Sequence, residues 1–249
     1  MVGRPSPGER FEAPDRGFVG HRDVLVRSRA RYRFAARHLR GAVLDIGCGR
    51  GYGFQAVRSV AEVCVGVDVS PEFLADARVE LPITPLANAS GDRLPFASGW
   101  FDAVVSFEVI EHVERDAAFV REVRRVACDD AVIAISTPNR PVSSKGKDRP
   151  LCPFHVREYS ASEFRELLMR EFSIVTVFGQ HERPHTGEES RRSLRLIARK
   201  VPQRWKNLLP AYLRDLLVVA VHPPLRPEQC TFESTDLESA HTLLALCRP

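Results

Sequence analysis

Short apolar runs alternate with helical stretches through the middle of the chain. Each run is continuously apolar over about six residues, which is typical of strands buried on both faces of a sheet. The four runs occupy residues 42–47, 63–68, 101–107 and 131–136. The helical stretches between them occupy residues 54–60, 71–80 and 116–127. This alternation predicts an α/β fold with a mostly parallel sheet and right-handed crossovers.

Two of the predicted helices carry start signals. Ser70 precedes Pro71, as an N-cap residue precedes proline at the first helical position. Ser160 is followed three residues later by Glu163, which together form a capping box at the start of a helix over 160–172. A further strand is expected directly after that helix, at 173–178.

The two ends of the chain extend this pattern. Residues 21–40 place apolar positions at helical spacing among arginines, which predicts an amphipathic helix that ends at Gly41. Residues 181–240 lack a strand pattern and contain helical segments at 193–200 and 205–219. The last apolar run, 242–247, is expected to re-enter the sheet as an edge strand. The chain thus divides into an arm and helix (1–41), a core (42–180), a helical cap (181–240) and a final strand (241–249).

Composition is that of an ordinary globular protein, with 44% hydrophobic and 27% charged residues in a chain of 249. The net charge of +4 is concentrated at the start, because residues 1–40 hold ten arginines against four acidic residues. Such an arm attracts anionic partners. Aromatic residues do not interleave with the arginines as stacking platforms would, so nucleic acid is not expected as a partner and RNA modification is a minor alternative.

The six cysteines show neither a CxxC pair nor the spacing of a zinc site. We interpret them as reduced thiols and expect a cytoplasmic protein. The polar start of the chain lacks the apolar stretch of a secretory signal, and no run is long enough to span a membrane.

The most specific motif is VLDIGCGRGYG at 43–53, where a strand ends in Gly47, Gly49 and Gly51. Glycines there allow a tight turn whose backbone amides approach a ligand at a helix N-terminus. The spacing is G-x-G-x-G, not the G-x-G-x-x-G of dinucleotide-binding folds, and Asp45 lies inside the strand. This argues against NAD. Asp68 ends the second strand, where a carboxylate can bind both hydroxyls of a ribose.

These residues resemble the class I methyltransferases that depend on S-adenosylmethionine (SAM). The resemblance extends to LPF at 94–96, FD at 101–102 and EH at 111–112. It implies a Rossmann-like sheet of seven strands, mostly parallel, and SAM as the cofactor. The resemblance implies that Asp45, Gly47 and Gly49 surround the methionine end of SAM. It also implies that Asp68 holds the ribose, that Val69 packs on adenine, and that Ser90 or Asp92 takes the place of an aspartate at the adenine amine. The other residues it implies for the cofactor site are Arg31, Cys48, Gly51, Gly91 and Phe107.

Methyl transfer needs a nucleophile whose proton is removed. His112 follows the strand predicted at 101–107, and His155 lies on the long loop after the strand predicted at 131–136. Either histidine can therefore reach the cavity beside SAM as a general base or pack structurally. Glu108 is the third candidate, or it faces the SAM amino group. An NPPY-like sequence and a paired Asp-Asn are both absent. Amide acceptors are therefore disfavoured, and no metal site is predicted.

A narrower resemblance concerns GERF (8–11), ARYRFAA (30–36), STPNRP (136–141), PFHVREYS (153–160) and the C-terminal LLALCRP. These segments resemble bacterial methyltransferases of glycan, glycolipid and methylated-polysaccharide pathways. The resemblance implies a sugar hydroxyl as acceptor, on a small molecule or an oligosaccharide, and allows a homodimer. The alternative is an O- or N-methyltransferase of a quinone, a phenol or a specialised metabolite.

Overall fold

One sheet of eight strands forms the centre of the computed structural model, which describes residues 19–183 and 225–249. The strands are β1 (Ala42–Ile46), β2 (Val63–Asp68), β3 (Leu86–Asn88), β4 (Phe101–Phe107), β5 (Ala127–Pro138), β6 (Ile174–Glu182), β7 (Cys230–Glu233) and β8 (Thr242–Arg248). Their order across the sheet is β3-β2-β1-β4-β5-β8-β6-β7. Six strands run in one direction, while β7 and β8 run the opposite way.

Helices connect the strands as the alternating pattern predicts. They are α1 (Val19–Ala36), α2 (Phe54–Arg58), α3 (Pro71–Glu80), α4 (Asp116–Val126), α5 (Arg140–Ser143) and α6 (Ala161–Leu168), together with a 3₁₀ turn over Ile110–His112. Both start signals are confirmed. Ser70 accepts a hydrogen bond from the Phe73 amide, and Ser160 and Glu163 form a complete capping box.

The sheet separates two apolar clusters because successive side chains of a strand point to opposite faces. Leu44 of β1 belongs to a cluster with Phe119 of α4 and Phe164 of α6. Val43, its neighbour in β1, belongs to the other cluster with Phe54 of α2. Helices therefore cover the sheet on both faces, which confirms the α/β expectation and leaves the strand ends for a site.

The strand count differs from the expected seven because β7 adds an eighth. Strand β6 continues through Glu182, four residues past the predicted end at Phe178, and the added length pairs antiparallel with β7. The four-residue β7 is partly exposed and too short for its pattern to distinguish a strand from a loop, so its sequence gives little strand signal. The expectation that residues 181–240 contain no strand is therefore wrong near both ends of that range.

The C-terminal strand β8 belongs to the sheet, as predicted, but it is not an edge strand. It lies between β5 and β6 and pairs antiparallel with both. Its residues Thr242–Leu244 are buried, which fits a strand paired on both sides. Residues 1–18 of the predicted arm and the helices predicted at 193–200 and 205–219 lie outside the described residues.

Within residues 19–183 and 225–249, no helix combines the length and the apolar character needed to cross a bilayer.

Candidate active site

The loop between β1 and α2 takes a backbone shape that requires glycine. Gly47, Gly49 and Gly51 all have positive φ, at 74°, 53° and 80°. A Cβ at Gly47 would lie 2.2 Å from a methyl carbon of Val109, and one at Gly51 would lie 2.5 Å from Leu81. A Cβ at Gly49 would meet nothing within 4 Å in the described part of the chain. Gly49 therefore faces the open space where a ligand can approach the backbone.

Asp68 ties the end of β2 to this glycine loop. Its two carboxylate oxygens accept hydrogen bonds of 2.8 Å from the backbone amides of Gly49 and Ser70. Burial raises the pKa of Asp68, and these backbone hydrogen bonds oppose the rise. Next to it, Val69 is 48% exposed and presents an apolar surface at the same strand end. Asp68 and Val69 thus offer hydrogen-bond acceptors beside an exposed apolar side chain.

The segment after β3 lies on the other side of that strand end. The Asn88 side-chain amide donates to the carbonyls of Asp68 and Val69 and so orders the strand end. The Ser90 hydroxyl donates to Asp92 at 2.6 Å, which places the two sequence alternatives side by side. Gly91 has a packing reason to be glycine, because a Cβ there would lie 2.7 Å from the Phe119 ring.

Asp45 is buried beneath α1 and bound by a tyrosine. The Tyr32 hydroxyl lies 3.0 Å from both Asp45 carboxylate oxygens. Burial raises the pKa of Asp45 to about 7, while the Tyr32 hydrogen bond acts in the opposite direction. The Tyr32 ring meets the Phe107 ring edge-on at 4.7 Å. A Cβ at Gly53 would lie 2.1 Å from the same Tyr32 ring, so α1 packs directly against the glycine loop.

Two further residues predicted for the cofactor site lie nearby. Arg31 is 4% exposed and donates to the Gln180 side chain at 2.9 Å. Its Nε has no hydrogen-bond partner among the residues that the structure describes. Cys48 points its thiol into the core, where the sulfur would lie 2.9 Å from a Cβ at Gly66. Burial raises the pKa of this thiol, so Cys48 contributes its backbone to the loop and its side chain to packing.

A second group of polar side chains follows β4. Glu108 adopts φ 57°, an uncommon conformation for a residue with a side chain. Its carboxylate accepts a 2.8 Å hydrogen bond from the Ser136 hydroxyl on β5. Glu111 is fully buried, and one of its oxygens accepts a 3.3 Å hydrogen bond from Thr137. Burial raises the pKa of Glu111 well above its usual range, and the charge of Glu108 adds to the rise.

The two candidate histidines meet in this group. Their ring centroids are 5.0 Å apart in an edge-on arrangement. His112 Nδ1 lies 3.0 Å from the Phe154 carbonyl oxygen, and His155 Nδ1 lies 2.6 Å from a carboxylate oxygen of Glu158. The structure therefore brings together residues 108–112 and the loop around His155. The 108–112 segment also adjoins the glycine loop, because Val109 packs on Gly47.

Comparison with known proteins decides what kind of domain this arrangement belongs to. A family model described as a methyltransferase domain matches residues 44–135, the stretch from β1 into β5. This stretch is a class I methyltransferase domain. SAM is the cofactor of the family.

Relatives of the methyltransferase domain differ in how closely they match. A protein of Mycolicibacterium smegmatis named "Probable S-adenosylmethionine-dependent methyltransferase" is 40% identical over 166 residues, which cover 66% of this chain and 63% of that protein. A ubiquinone biosynthesis O-methyltransferase of Azorhizobium caulinodans is 31% identical, with 57% of each chain covered. The chain thus spans less than two thirds of the length of these relatives. A SAM-dependent methyltransferase structure from Thermotoga maritima is similar in fold, with a TM-score of 0.60 at 15% identity over 92% of this chain and 95% of that one.

Three residues that lie beside the predicted site residues were not themselves predicted from the sequence as part of the site. Tyr32 binds Asp45, Glu111 faces the histidines, and Glu158 binds His155. Glu111 forms part of the EH signature, which is the one signal that marks it in the sequence. The glycan resemblance finds no support in the names of these relatives, so a sugar acceptor stays a prediction.

Proposed function

We propose that this chain transfers the methyl group of SAM to a hydroxyl of a sugar-type acceptor. The observation that carries the proposal is the contact between Val109 and Gly47, which joins the glycine loop to the segment bearing Glu108 and His112. A cofactor on the loop and an acceptor at the histidines would then be neighbours. Proximity of donor and nucleophile is the main requirement of this reaction because the sulfonium methyl is already activated.

The nucleoside end of SAM fits the end of β2. Each Asp68 oxygen accepts one backbone hydrogen bond and keeps a lone pair for a ribose hydroxyl. The exposed Val69 side chain supplies an apolar contact for adenine. Ser90 and Asp92, already hydrogen-bonded to each other, offer an acceptor for the adenine amine.

The methionine end of SAM carries an ammonium and a carboxylate, and the opposite side of the glycine loop offers a partner for each. Asp45 supplies negative charge, and the Gly49 backbone faces open space. Arg31 supplies a guanidinium whose Nε has no partner in the described residues. Tyr32, between Asp45 and Phe107, covers this end of the site from α1.

The acceptor hydroxyl reacts at the group formed by Glu108, His112 and His155. A hydroxyl is a poor nucleophile until its proton leaves, and each of these three side chains can accept a proton. The oxygen attacks the sulfonium methyl, the carbon–sulfur bond breaks with its electron pair staying on sulfur, and S-adenosylhomocysteine leaves. The hydroxyl proton passes to the protein.

A sugar-type acceptor is supported by the sequence segments that resemble glycan methyltransferases. Two of them, 136–141 and 153–160, meet beside the histidines, where Asn139 forms a bridge with Tyr159 and the Arg140 amide donates to the Tyr159 carbonyl at 2.9 Å. The rival acceptor is a phenolic hydroxyl of a quinone precursor. It is favoured by the 31% identity to a ubiquinone biosynthesis O-methyltransferase.

Transfer of labelled methyl groups separates these acceptors. Purified protein is incubated with methyl-labelled SAM and a cell extract divided into polar glycans, quinone-containing lipids and RNA. The proposal predicts label in the glycan fraction, and an Asp68→Ala variant is the control that should transfer little. Label confined to the lipid fraction would establish the rival acceptor and refute the sugar hydroxyl.

A further inference from the structure

Three side chains beside the glycine loop are grouped like the ligands of a metal ion. Glu111, His112 and His155 each offer one ligand atom, and these atoms all lie within 4.8 Å of one another. Donor atoms bound at about 2.1 Å to one tetrahedral cation are about 3.4 Å apart. Small side-chain movements would therefore bring these three atoms onto a common cation.

The carboxylate of Glu111 lacks a partner for one of its oxygens. Glu111 is 0% exposed, and Oε1 has no hydrogen-bond donor in the part of the chain that the structure describes. A buried carboxylate oxygen without a partner is costly, because it has lost its hydration without compensation. A cation shared with the histidines would supply the missing interaction.

Both histidines are oriented as metal ligands are. A histidine that binds a metal through one ring nitrogen almost always donates the other N–H to a carbonyl or a carboxylate. Here the Nδ1 of His112 meets the Phe154 carbonyl, and the Nδ1 of His155 meets the Glu158 carboxylate. A histidine whose Nδ1 makes such a contact binds a metal through Nε2.

The backbone holds these ligands together before any ion binds. The Val156 amide donates to the Glu111 carbonyl at 2.8 Å, which fixes the His155 loop to the 3₁₀ turn. Glu158 is itself held by Ser144, whose hydroxyl donates to it at 2.6 Å, and by Ser143. Ligands supported by such contacts bind with less loss of conformational entropy.

We propose that Glu111, His112 and His155 form a binding site for a divalent transition-metal ion of the zinc, manganese or cobalt type. Two imidazoles and one carboxylate are the donor set of catalytic zinc sites, and a fourth position stays open for a substrate oxygen. A cation also suits the local charge, because the Glu158 carboxylate contacts His155 and Glu108 lies on the same short segment as Glu111.

The consequence for catalysis rests on the proposed function. The acceptor hydroxyl would take the open position on the cation, which lowers the pKa of the hydroxyl as a Lewis acid does. With both histidines serving as ligands, the proton passes to the Glu108 carboxylate, and the alkoxide oxygen then attacks the SAM methyl. This site would replace the sequence-based expectation of no metal site.

Cobalt binding tests the site without any need for an acceptor. Metal-stripped full-length protein is titrated with Co²⁺ and followed by the visible absorption of the bound ion, with Zn²⁺ added afterwards as a competitor. We expect saturation at one Co²⁺ per chain and displacement by Zn²⁺. Single variants His112→Ala, His155→Ala and Glu111→Gln should each weaken Co²⁺ binding at least about tenfold. His241→Ala is the matched control, because this histidine is exposed and, among the described residues, only its backbone makes hydrogen bonds.

Two further measurements keep the result interpretable. Glu158→Gln nearly preserves side-chain volume but changes the group that orients His155 and accepts from Ser143 and Ser144. It should therefore weaken Co²⁺ binding about 10- to 100-fold while SAM affinity is retained. Co²⁺ binding that is equally strong in wild type and in the His112→Ala, His155→Ala double variant would overturn the site. The proposed function is measured separately as methyl transfer, so Co²⁺ binding with no transfer to glycans would refute the acceptor and leave the metal site standing.

Discussion

Two aspartates at neighbouring strand ends are held in different ways. Backbone amides of Gly49 and Ser70 hold Asp68, so its position follows from the loop itself. Asp45 depends on the hydroxyl of Tyr32, thirteen residues earlier and on another element. Charge-assisted hydrogen bonds of this kind are about twice as strong as neutral ones. Each aspartate therefore supports a separate prediction.

Replacing Asp68 by alanine should weaken SAM binding by about 2 kcal/mol or more, which is roughly thirtyfold in Kd. The reason is the loss of the carboxylate proposed to bind both ribose hydroxyls. Titration calorimetry measures the change, and Asp129→Ala is the control because its side chain is 99% exposed. Equal SAM affinity in Asp68→Ala and wild type would show that the ribose lies elsewhere.

Asp45 should make folding stability depend on pH. Its folded pKa of about 7 lies above the unfolded value, so its contribution to stability is complete at low pH and is lost as the pH rises through 7. The shift of about 3 pH units corresponds to about 4 kcal/mol. Chemical unfolding between pH 4 and 8 should show a smaller decline for Asp45→Asn than for wild type. Parallel curves would mean that Asp45 keeps an ordinary pKa.

At the scale of elements, the apolar pattern predicts the central strands and their helices well because burial on both faces leaves a continuous apolar run. The short strands β3 and β7 escape prediction, since a pattern over three or four partly exposed residues is too short to identify a strand. The place of β8 between β5 and β6 depends on long-range pairing, which the apolar run alone does not encode. Residues such as Tyr32 and Glu158 are missed for the same reason, as their roles arise only from tertiary contacts.

The contact between the glycine loop after β1 and the segment after β4 should be sensitive to one added methyl group. Gly47→Ala brings a Cβ to 2.2 Å from Val109, in addition to the strain of a positive φ. Gly99→Ala has a similar φ of 66°, and no atom of the described residues lies within 4 Å of the added carbon, so it measures the strain alone. Gly47→Ala should therefore lower the free energy of unfolding by about 1–3 kcal/mol more than Gly99→Ala. Equal losses would show that the close contact does not limit the loop.

At the scale of the whole molecule, the sheet brings two groups with separate tasks to one edge. The glycine loop and Asp68 follow β1 and β2, while Glu108 and the histidines follow β4 and β5. Ligands of open α/β sheets bind at the carboxyl ends of the strands, where both groups lie. The first group is therefore proposed to bind the cofactor and the second to activate the acceptor.

The most direct test of this division measures SAM affinity and methyl transfer in the same variants. His112→Ala and His155→Ala should each lower turnover on the labelled acceptor fraction about 10²- to 10⁴-fold while leaving the Kd for SAM within about twofold of wild type. Asp68→Ala should instead reduce the affinity for SAM. Near-normal turnover in both histidine variants would contradict the account, because the histidine group would then have no part in activating the acceptor.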